Sequence, residues 1–330
     1  MIKMIKFGSL RIIAAVMTFF VLLAAGAAAG DVYDVKDPER CLLNFSVLSD
    51  SHIEGNNFMR YKVFAHALQN VKKNKSGHDA VVFLGDNTMN GQHIENLLFH
   101  GAVNMLLQGE TILPALGNHD VGNGEGDYDK LQNRWYDYTA AFFGRELDRP
   151  YYYEVIDGYY FIVLGMQAQE VSEMMMTDAQ FEWLEGVLAK AAESGKPAFV
   201  FKHHPSDEVT DESGAYTDRL IDMLAAYNRE HDLFSFVGHT HMPMHLFWSF
   251  QNYDGFPETY LPRLTELGGE GDDEPRDDTG VGLEVEVYEN EVVLRARDFY
   301  RGEWEIDTWE DEENVLCEKT YALKNPAAND

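Results

Sequence analysis

The stretch that decides the fold is Leu42-Leu43-Asn44-Phe45-Ser46-Val47-Leu48, which is followed directly by Ser49-Asp50-Ser51-His52. A short, mostly apolar run of this kind is typical of a strand buried on both faces. The run ends in a carboxylate and an imidazole that lie two residues apart. Because residues two apart in extended backbone point the same way, Asp50 and His52 can reach one point together.

Four further apolar runs end in the same kinds of polar residue. They are residues 80–84, 111–116, 198–201 and 233–237. They lead into Gly85-Asp86, Gly117-Asn118-His119-Asp120, His203-His204-Pro205 and Gly238-His239-Thr240-His241. Open α/β sheets hold their ligands at the carboxyl ends of strands, and glycine lets the chain turn sharply beside a ligand. We therefore expect these polar side chains to form one site.

Amphipathic stretches lie between the apolar runs and predict helices. Apolar residues recur at helical spacing over 58–71 and 94–106, and a further helix starts at 220. Thr177-Asp178-Ala179-Gln180 has the pattern of a capping box that opens another helix. The stretch 122–149 is a long excursion with an aromatic helix of its own. Strand–helix alternation of this kind predicts an α/β fold.

A second pattern indicates antiparallel strands. Residues 151–155 and 159–164 flank Asp157-Gly158, which is a hairpin signature. Near the C-terminus, 282–287 alternates apolar residues with Glu284 and Glu286, and 292–297 follows after a turn. We expect these strands to have one wet face. We also expect the strands of 281–298 to complete a second, more antiparallel sheet packed on the first.

Composition excludes several classes of protein. The chain has 330 residues, of which 45% are hydrophobic and 13% aromatic, so it is not a disordered acidic tail. Its 56 acidic and 26 basic residues give a net charge of −30. A protein that grips long nucleic acid needs a basic face, so we expect no such partner. A local cationic site, such as a metal centre, would still attract a small phosphate ester.

The first residues have the pattern of a secretory signal peptide. Lys3, Lys6 and Arg11 precede the apolar run 12–25, and Ala27-Ala28-Ala29 supplies an A-x-A cleavage pattern. We therefore expect residues 1–29 to be removed, which leaves a single domain over 30–330, no stable membrane span and a secreted or periplasmic location. The alternative is an uncleaved N-terminal anchor, although the run is short for a span of roughly 20 residues.

The chain has only two cysteines, Cys41 and Cys317. An exported protein with two cysteines permits one disulfide, which here would join the two ends of the domain. Two unbridged buried thiols are the alternative, and the sequence does not decide between them.

Imidazole and carboxylate groups together suit divalent metals such as Zn, Mn and Fe. One carboxylate can bridge two ions, which two-metal hydrolases hold about 3.5–4 Å apart. The same polar set also carries a family resemblance. In order along the chain it reads D-x-H, G-D, G-N-H-D, H-x-P and G-H-x-H, and the motifs span residues 44–245. This series resembles the calcineurin-like metallophosphoesterase superfamily, in particular its secreted, cyclic-nucleotide-phosphodiesterase-like and acid-phosphatase-like branch.

The resemblance implies a four-layer α-β-β-α sandwich of two mixed sheets with a dinuclear metal centre between them. By motif, one metal (Mn, Fe or Zn) would be held by Asp50, His52 and His241, and the other by Asn118, His203 and His239. Asp86 would bridge both. A hydroxide between the metals would attack phosphorus in line, His119 would protonate the leaving oxygen or hold the phosphoryl group, and Asp120 would orient His119. Along extended backbone, His204 should point away from the site, so we expect it to support a neighbouring ligand or the fold rather than to bind a metal.

Two departures from the family's motifs narrow the choice of subfamily. Purple acid phosphatases carry a Tyr three residues after the bridging Asp, where this chain has Met89. Protein Ser/Thr phosphatases carry G-D-x-x-D-R-G and G-N-H-E, whereas here the third motif ends in Asp120.

The resulting expectation is an exported, metal-dependent phosphoesterase that hydrolyses small phosphodiesters or nucleotides. A phosphomonoesterase that uses the same site is the alternative. A third hypothesis is a catalytically silent metal-binding scaffold. This hypothesis predicts missing ligands or a missing His119. The sequence does not indicate an oligomeric state.

Overall fold

The structure is a computed structural model that describes residue 26 and residues 30–253, 255–269, 271, 273–306 and 315–326. The predicted signal peptide therefore lies almost wholly outside the described residues. The described residues form five α-helices, which are α1 Phe58–Val71, α2 His93–Leu106, α3 Tyr128–Phe143, α4 Asp178–Ser194 and α5 Arg219–Asn228. Across the described ranges, none of the helices combines the length and the apolar character that a bilayer span requires.

The strands, in chain order, belong to two large sheets and two small ribbons. They are β1 Leu43–Leu48, β2 Ala80–Phe83, β3 Ile112–Pro114, β4 Tyr152–Ile156, β5 Tyr159–Val163, β6 Met174–Met175, β7 Ala198–Phe201, β8 Val209–Thr210, β9 Leu233–Val237, β10 Phe250–Tyr253, β11 Phe256–Tyr260, β12 Leu267–Gly268, β13 Glu274–Pro275, β14 Val281–Val287, β15 Glu291–Asp298, β16 Glu303–Trp304 and β17 Glu318–Ala322. The five apolar runs of the sequence correspond to β1, β2, β3, β7 and β9.

The first sheet is parallel on one side, β1 to β3, and antiparallel on the other, whereas the second sheet has a parallel centre and antiparallel edges. The first has the order β16-β15-β14-β1-β2-β3, with β17 also paired to β15, and the second has the order β10-β11-β9-β7-β5-β4. Our expectation that 281–298 would complete the second sheet is wrong, because β14 pairs antiparallel with β1, with Leu43 opposite Val287. Alternation predicts the antiparallel geometry of a strand, but it does not say which open sheet edge the strand will join.

The main core lies between the two sheets and is built on aromatic rings. Phe45 of β1 packs edge-on against Phe161 and Phe199 of the second sheet, with ring centroids 4.9 Å apart in both pairs. Edge-to-face contact at this spacing is a favourable arrangement for aromatic rings. The inner faces of the sheets are therefore fixed against each other close to the strand ends that carry the polar motifs.

Helices cover both outer faces, which confirms the four-layer α-β-β-α sandwich. Apolar side chains of α1 and α2 pack on the outer face of the first sheet, where Phe64 and Phe99 contact Phe83 of β2. Helices α4 and α5 cover the second sheet through side chains such as Leu184 and Leu224.

Only half of the predicted capping box forms at the start of α4. The Thr177 side chain accepts a hydrogen bond from the Gln180 backbone N–H, as expected. The Gln180 side chain does not return to Thr177. Its carboxamide instead donates to the Gly165 carbonyl oxygen and accepts from the Gly165 N–H, at 2.9 and 3.1 Å. The buried backbone groups of Gly165 need hydrogen-bond partners, and the Gln180 side chain supplies them. It is therefore not available to complete the capping box.

The prediction that one face of β14 is exposed to solvent is also wrong, because Glu284 and Glu286 are each 1% exposed. The segment before β1 covers this face. Glu284 accepts hydrogen bonds from the Tyr33 hydroxyl at 2.6 Å and the Ser46 hydroxyl at 2.9 Å. Glu286 pairs with Arg295 at 2.7 Å. Alternation of charged and apolar residues predicts two different faces, but a face of paired charges has the same pattern as a solvated one.

Both cysteines lie in the described part of the chain, and they form no disulfide with each other. Of the two alternatives left open by the sequence, the structure therefore has two unbridged thiols. Burial raises the pKa of the Cys41 thiol to about 12, which makes it a poor nucleophile.

Folding stability should depend on pH through His78, which lies beside Glu284 with 3.0 Å between Nε2 and Oε2. Burial alone would lower the pKa of His78, but the Glu284 carboxylate outweighs it and raises the pKa. The folded state then binds the proton more tightly than the unfolded state. This contribution is complete below the unfolded pKa of about 6.5 and is lost as pH rises through the folded value.

The measurement is the free energy of unfolding in urea from about pH 6 to about pH 9, a range that brackets the ordinary pKa of histidine. We expect His78→Gln to flatten the decline with pH, whereas His231→Gln in the loop before β9 should leave it unchanged. An equal decline in the wild type and His78→Gln would contradict this assignment.

Candidate metal centre

The polar ends of five strands meet at one edge of the sandwich, and the backbone there is unusual. The described residues include seven non-glycine residues with positive φ. Five of these are predicted metal ligands: Asp50, His52, Asp86, His239 and His241. The left-handed region costs free energy for residues with a Cβ, and such conformations cluster at functional sites. The backbone therefore aims these side chains inward at the end of each strand.

Glycines allow the strand ends to approach one another. A Cβ on Gly117 would lie 2.2 Å from Asp86 Oδ1, and a Cβ on Gly238 would lie 2.1 Å from the Ser49 hydroxyl oxygen and 2.5 Å from Asp50 Oδ2. These separations are far below contact distance. As the sequence predicts, glycine precedes the ligands because any side chain would occupy the site.

The first group of ligands joins the two sheets. Asp50 Oδ1 lies 3.1 Å from His241 Nε2 and 3.4 Å from His52 Nε2. The two imidazole Nε2 atoms are 3.3 Å apart. With metal–ligand bonds of about 2.0–2.2 Å, the donors around one ion lie about 3 to 3.5 Å apart. The spacing of Asp50, His52 and His241 therefore fits one ion.

The second group is formed around His203. Its Nε2 lies 3.2 Å from Asp86 Oδ2 and 3.0 Å from Asn118 Oδ1. Its Nδ1 faces the Leu84 carbonyl oxygen at 3.1 Å, so Nδ1 donates there and Nε2 is left for a metal. Asp86, His203 and His239 bring donor atoms within 4.8 Å of one another.

Asp86 connects the two groups. Its Oδ2 atom lies 3.5 Å from His52 Nε2 in the first group and 3.2 Å from His203 Nε2 in the second. Its Oδ1 atom accepts a hydrogen bond from the His119 backbone N–H at 2.8 Å. This is the position that a bridging carboxylate requires.

The charges of these side chains also suit cations. Burial alone would raise the pKa of the Asp50 and Asp86 carboxyls, but the facing imidazoles hold the pKa of both below the ordinary value. Burial alone would lower the pKa of His203, but Asp86 and Asp50 raise it to about 9. Burial lowers the pKa of His52 and His239 to about 4. The two buried carboxylates therefore attract cations to this point. The neutral imidazoles of His52 and His239 can each offer a nitrogen to a metal ion.

These observations fit a dinuclear site. All seven predicted ligands meet at one place, with one carboxylate between two sets of donors, and the nitrogen and oxygen donors suit Mn, Fe or Zn without selecting one.

His119 lies where the sequence predicts, but its supporting residue is different. The His119 ring is 4.5 Å from the His52 ring, and its Nε2 lies 4.0 Å from Asp86 Oδ2. Its Nδ1 faces the Met89 carbonyl oxygen at 2.7 Å, so Nδ1 carries a proton and Nε2 is directed at the site.

The prediction that Asp120 orients His119 is wrong. Asp120 accepts hydrogen bonds from the backbone N–H groups of Asn87, Thr88 and Gly117, at 2.9–3.3 Å. It therefore ties the loop after β2 to the loop after β3. A buried carboxylate is attracted to several backbone donors, and the residue beside a histidine in sequence need not contact its ring.

Three further residues support the ligands, and sequence reasoning missed two of them, Asn123 and Glu208. Asn123 accepts a hydrogen bond from Asn118 Nδ2 at 2.9 Å, which turns Asn118 Oδ1 toward His203. His204 does not point away from the site, since its ring packs on the His239 ring with centroids 4.2 Å apart. Glu208 Oε2 lies 3.8 Å from His239 Nε2. The HH pair marked His204 as a candidate, but no motif marks Asn123 or Glu208.

Comparison with known proteins gives the family. The family model for calcineurin-like phosphoesterases matches residues 43–243, which is more than half of the 330-residue chain. The chain belongs to the calcineurin-like phosphoesterase family. Membership makes it a metal-dependent hydrolase of phosphoric esters, as the resemblance predicts. A search of curated proteins by sequence found no match.

Solved structures share the fold at low sequence identity. A purple acid phosphatase from yellow lupin (Lupinus luteus) seeds is 14% identical with a TM-score of 0.54, over 85% of this chain and 53% of that chain. A dimetal phosphatase from Danio rerio is 14% identical with a TM-score of 0.52, over 78% of this chain and 97% of that chain. The chain spans about half the length of the lupin enzyme. These likenesses support the fold and leave the substrate open.

Gly238→Ala should disrupt the first ligand group, because the new Cβ would displace the Ser49 hydroxyl or Asp50 Oδ2. We expect reduced metal content after dialysis against Mn²⁺, measured by elemental analysis. The control is Gly186→Ala within α4, where a Cβ would meet nothing within 4 Å. That change should keep the metal content and raise the free energy of unfolding by about 0.5–1 kcal/mol. Full metal content in Gly238→Ala would contradict the close-approach argument.

Proposed function

We propose that the chain is an exported dinuclear-metal phosphoesterase that hydrolyses small phosphodiesters or nucleotides. The observation that carries the proposal is the position of Asp86. This buried carboxylate lies between two complete donor sets, and His119 lies at the edge of both. A structural metal site would be closed by four ligands. Here a histidine outside both predicted ligand sets, His119, aims a ring nitrogen at the same point.

When two cations are bound, they would activate water and neutralise the charge of a phosphate ester. The side chains of this protein have separate tasks. Asp50, His52 and His241 would hold one ion, and Asn118, His203 and His239 would hold the other.

His119 would act on the leaving group. Its Nδ1–H donates to the Met89 carbonyl oxygen, which leaves Nε2 to carry the transferable proton and give it to the departing oxygen. The His119 side chain is 21% exposed. An ester oxygen that approaches from solvent can therefore reach Nε2.

The charge of the whole chain supports a small substrate. With a net charge of −30, its field repels long polyanions, so a local cationic centre favours single phosphate groups. The selectivity elements are then the excursion over 122–149, the region of Met174 and the loop that follows His241.

The alternative activity is that of a phosphomonoesterase, because both ester classes present the same phosphoryl group to the site. The structurally similar lupin and Danio rerio proteins are a purple acid phosphatase and a dimetal phosphatase, which favours this alternative. Purple acid phosphatases, the class of the lupin enzyme, carry a Tyr at the position of Met89, so this chain departs from that class there. A catalytically silent scaffold is less favoured, because every motif position is filled.

Export is part of the proposal and rests on the sequence pattern of residues 1–29. The cleavage pattern at Ala27-Ala28-Ala29 supports removal of this segment. The same reasoning gives a secreted or periplasmic location.

Metal removal and replacement test the proposal. We expect protein stripped with a chelator to be inactive, and Mn²⁺, Fe²⁺ or Zn²⁺ to restore hydrolysis of bis-p-nitrophenyl phosphate in preference to p-nitrophenyl phosphate. Preference for the monoester would support the alternative. No turnover of either ester, with two metals bound per chain, would overturn the proposal in favour of the scaffold.

His119→Ala should separate chemistry from metal binding. We expect turnover to fall by about 10²- to 10⁴-fold, the usual contribution of a general acid, while metal content stays near the wild-type value. The control is His93→Ala at the exposed start of α2, which should keep both. Equal turnover in His119→Ala and the wild type would show that His119 is not the acid.

A further inference from the structure

A carboxylate outside both ligand groups lies against one of the ligands. Glu208 Oε2 is 3.8 Å from His239 Nε2, and the Glu208 side chain is 32% exposed. The Oε2 atom itself is buried and accepts no hydrogen bond from the described residues. Leaving a buried carboxylate oxygen unsatisfied is costly. Its position therefore suggests a partner that His239 supplies.

The turn that carries Glu208 is held in place from below. Residues Ser206–Glu208 form a single 3-10 turn directly after His203-His204-Pro205. Glu258 of β11 accepts hydrogen bonds from the Ser206 backbone N–H at 3.1 Å and from the Ser206 hydroxyl at 2.6 Å. Lys202 Nζ lies 2.7 Å from the same carboxylate, and both side chains are fully buried. This anchor fixes the turn relative to His203, a ligand of the second group.

Contacts on several sides also fix the position of the His239 ring. Its backbone N–H donates to Asp50 Oδ2 at 3.2 Å, and its φ is +64°. Its ring packs against the His204 ring at 4.2 Å and the His203 ring at 5.1 Å between centroids. His204 is completely buried, so its ring restricts the His239 ring on that side. The Nε2 edge consequently stays toward Glu208.

A histidine that binds a metal through one nitrogen commonly donates its other N–H to a carboxylate, which fixes the ring and makes it a stronger ligand. We propose that Glu208 is the positioning residue of the second metal, accepting the Nε2–H of His239 and leaving Nδ1 for the ion. The inference rests on the proposed dinuclear centre and adds a residue to it. Glu208 does not belong to the donor groups that could bind an ion directly.

The neighbouring Asp207 provides a matched control. It is exposed, lies in the same turn and carries the same charge. Removing either carboxylate changes the field at the site by one charge, but only Glu208 faces His239. A general electrostatic effect would therefore appear in both variants, and a positioning effect in one.

The experiment is calorimetric titration of Mn²⁺ into chelator-stripped wild type, Glu208→Gln, Glu208→Ala and Asp207→Asn. We expect the Kd of one of the two metals to rise by about 10- to 100-fold in both Glu208 variants, the usual effect of losing such a partner. The Kd of the other metal should not change, and Asp207→Asn should match the wild type at both sites. Thermal unfolding of the stripped proteins should be unchanged, which separates positioning from a loss of folding.

Equal affinity for both metals in the wild type and both Glu208 variants would overturn the assignment, even if the wild type hydrolyses esters. An equal loss in Asp207→Asn would replace it with a general charge effect. A higher KM with unchanged metal affinity would place Glu208 on the substrate. If the wild type binds one metal or none, the proposed function fails as well, so the two failures can be told apart.

Discussion

The buried carboxylate of Asp86 is the constraint on which the site depends. It lies between His52 on one side and His203 on the other, and it has almost no access to water. A buried negative charge needs a compensating positive charge. The rise in the pKa of His203 is one response to that need, and binding of cations is the other. The left-handed backbone at Asp86 and the adjacent glycines are consequences of bringing this carboxylate to the junction.

The two sheets make that junction possible. Asp50, Asp86 and Asn118 follow strands of the first sheet, whereas His203, His239 and His241 follow strands of the second. Neither sheet alone supplies a complete donor set, so the packing of Phe45 against the second sheet also sets the spacing of the ligands. The function of the centre therefore depends on a core that contains no catalytic residue.

Much of this could be predicted from the sequence because the strong signals are local. Apolar runs that end in Asp, Asn or His identified the strands, their ligand ends and the glycines. What could not be predicted depends on contacts between distant segments. Burial of Glu284 requires Tyr33 to cover it, and the true partners of Asp120 lie in two other loops. The role of Gln180 depends on Gly165, and Glu208 reaches His239 only because Glu258 holds its turn. None of these pairings leaves a periodic pattern.

We propose that two metal ions share the Asp86 carboxylate. A crystal structure of the Mn²⁺-loaded chain with anomalous data at the manganese edge would test this sharing. We expect two peaks about 3.5–4 Å apart, as in other two-metal hydrolases, with Asp86 in contact with both. One peak, or two peaks of which only one touches Asp86, would contradict the shared carboxylate.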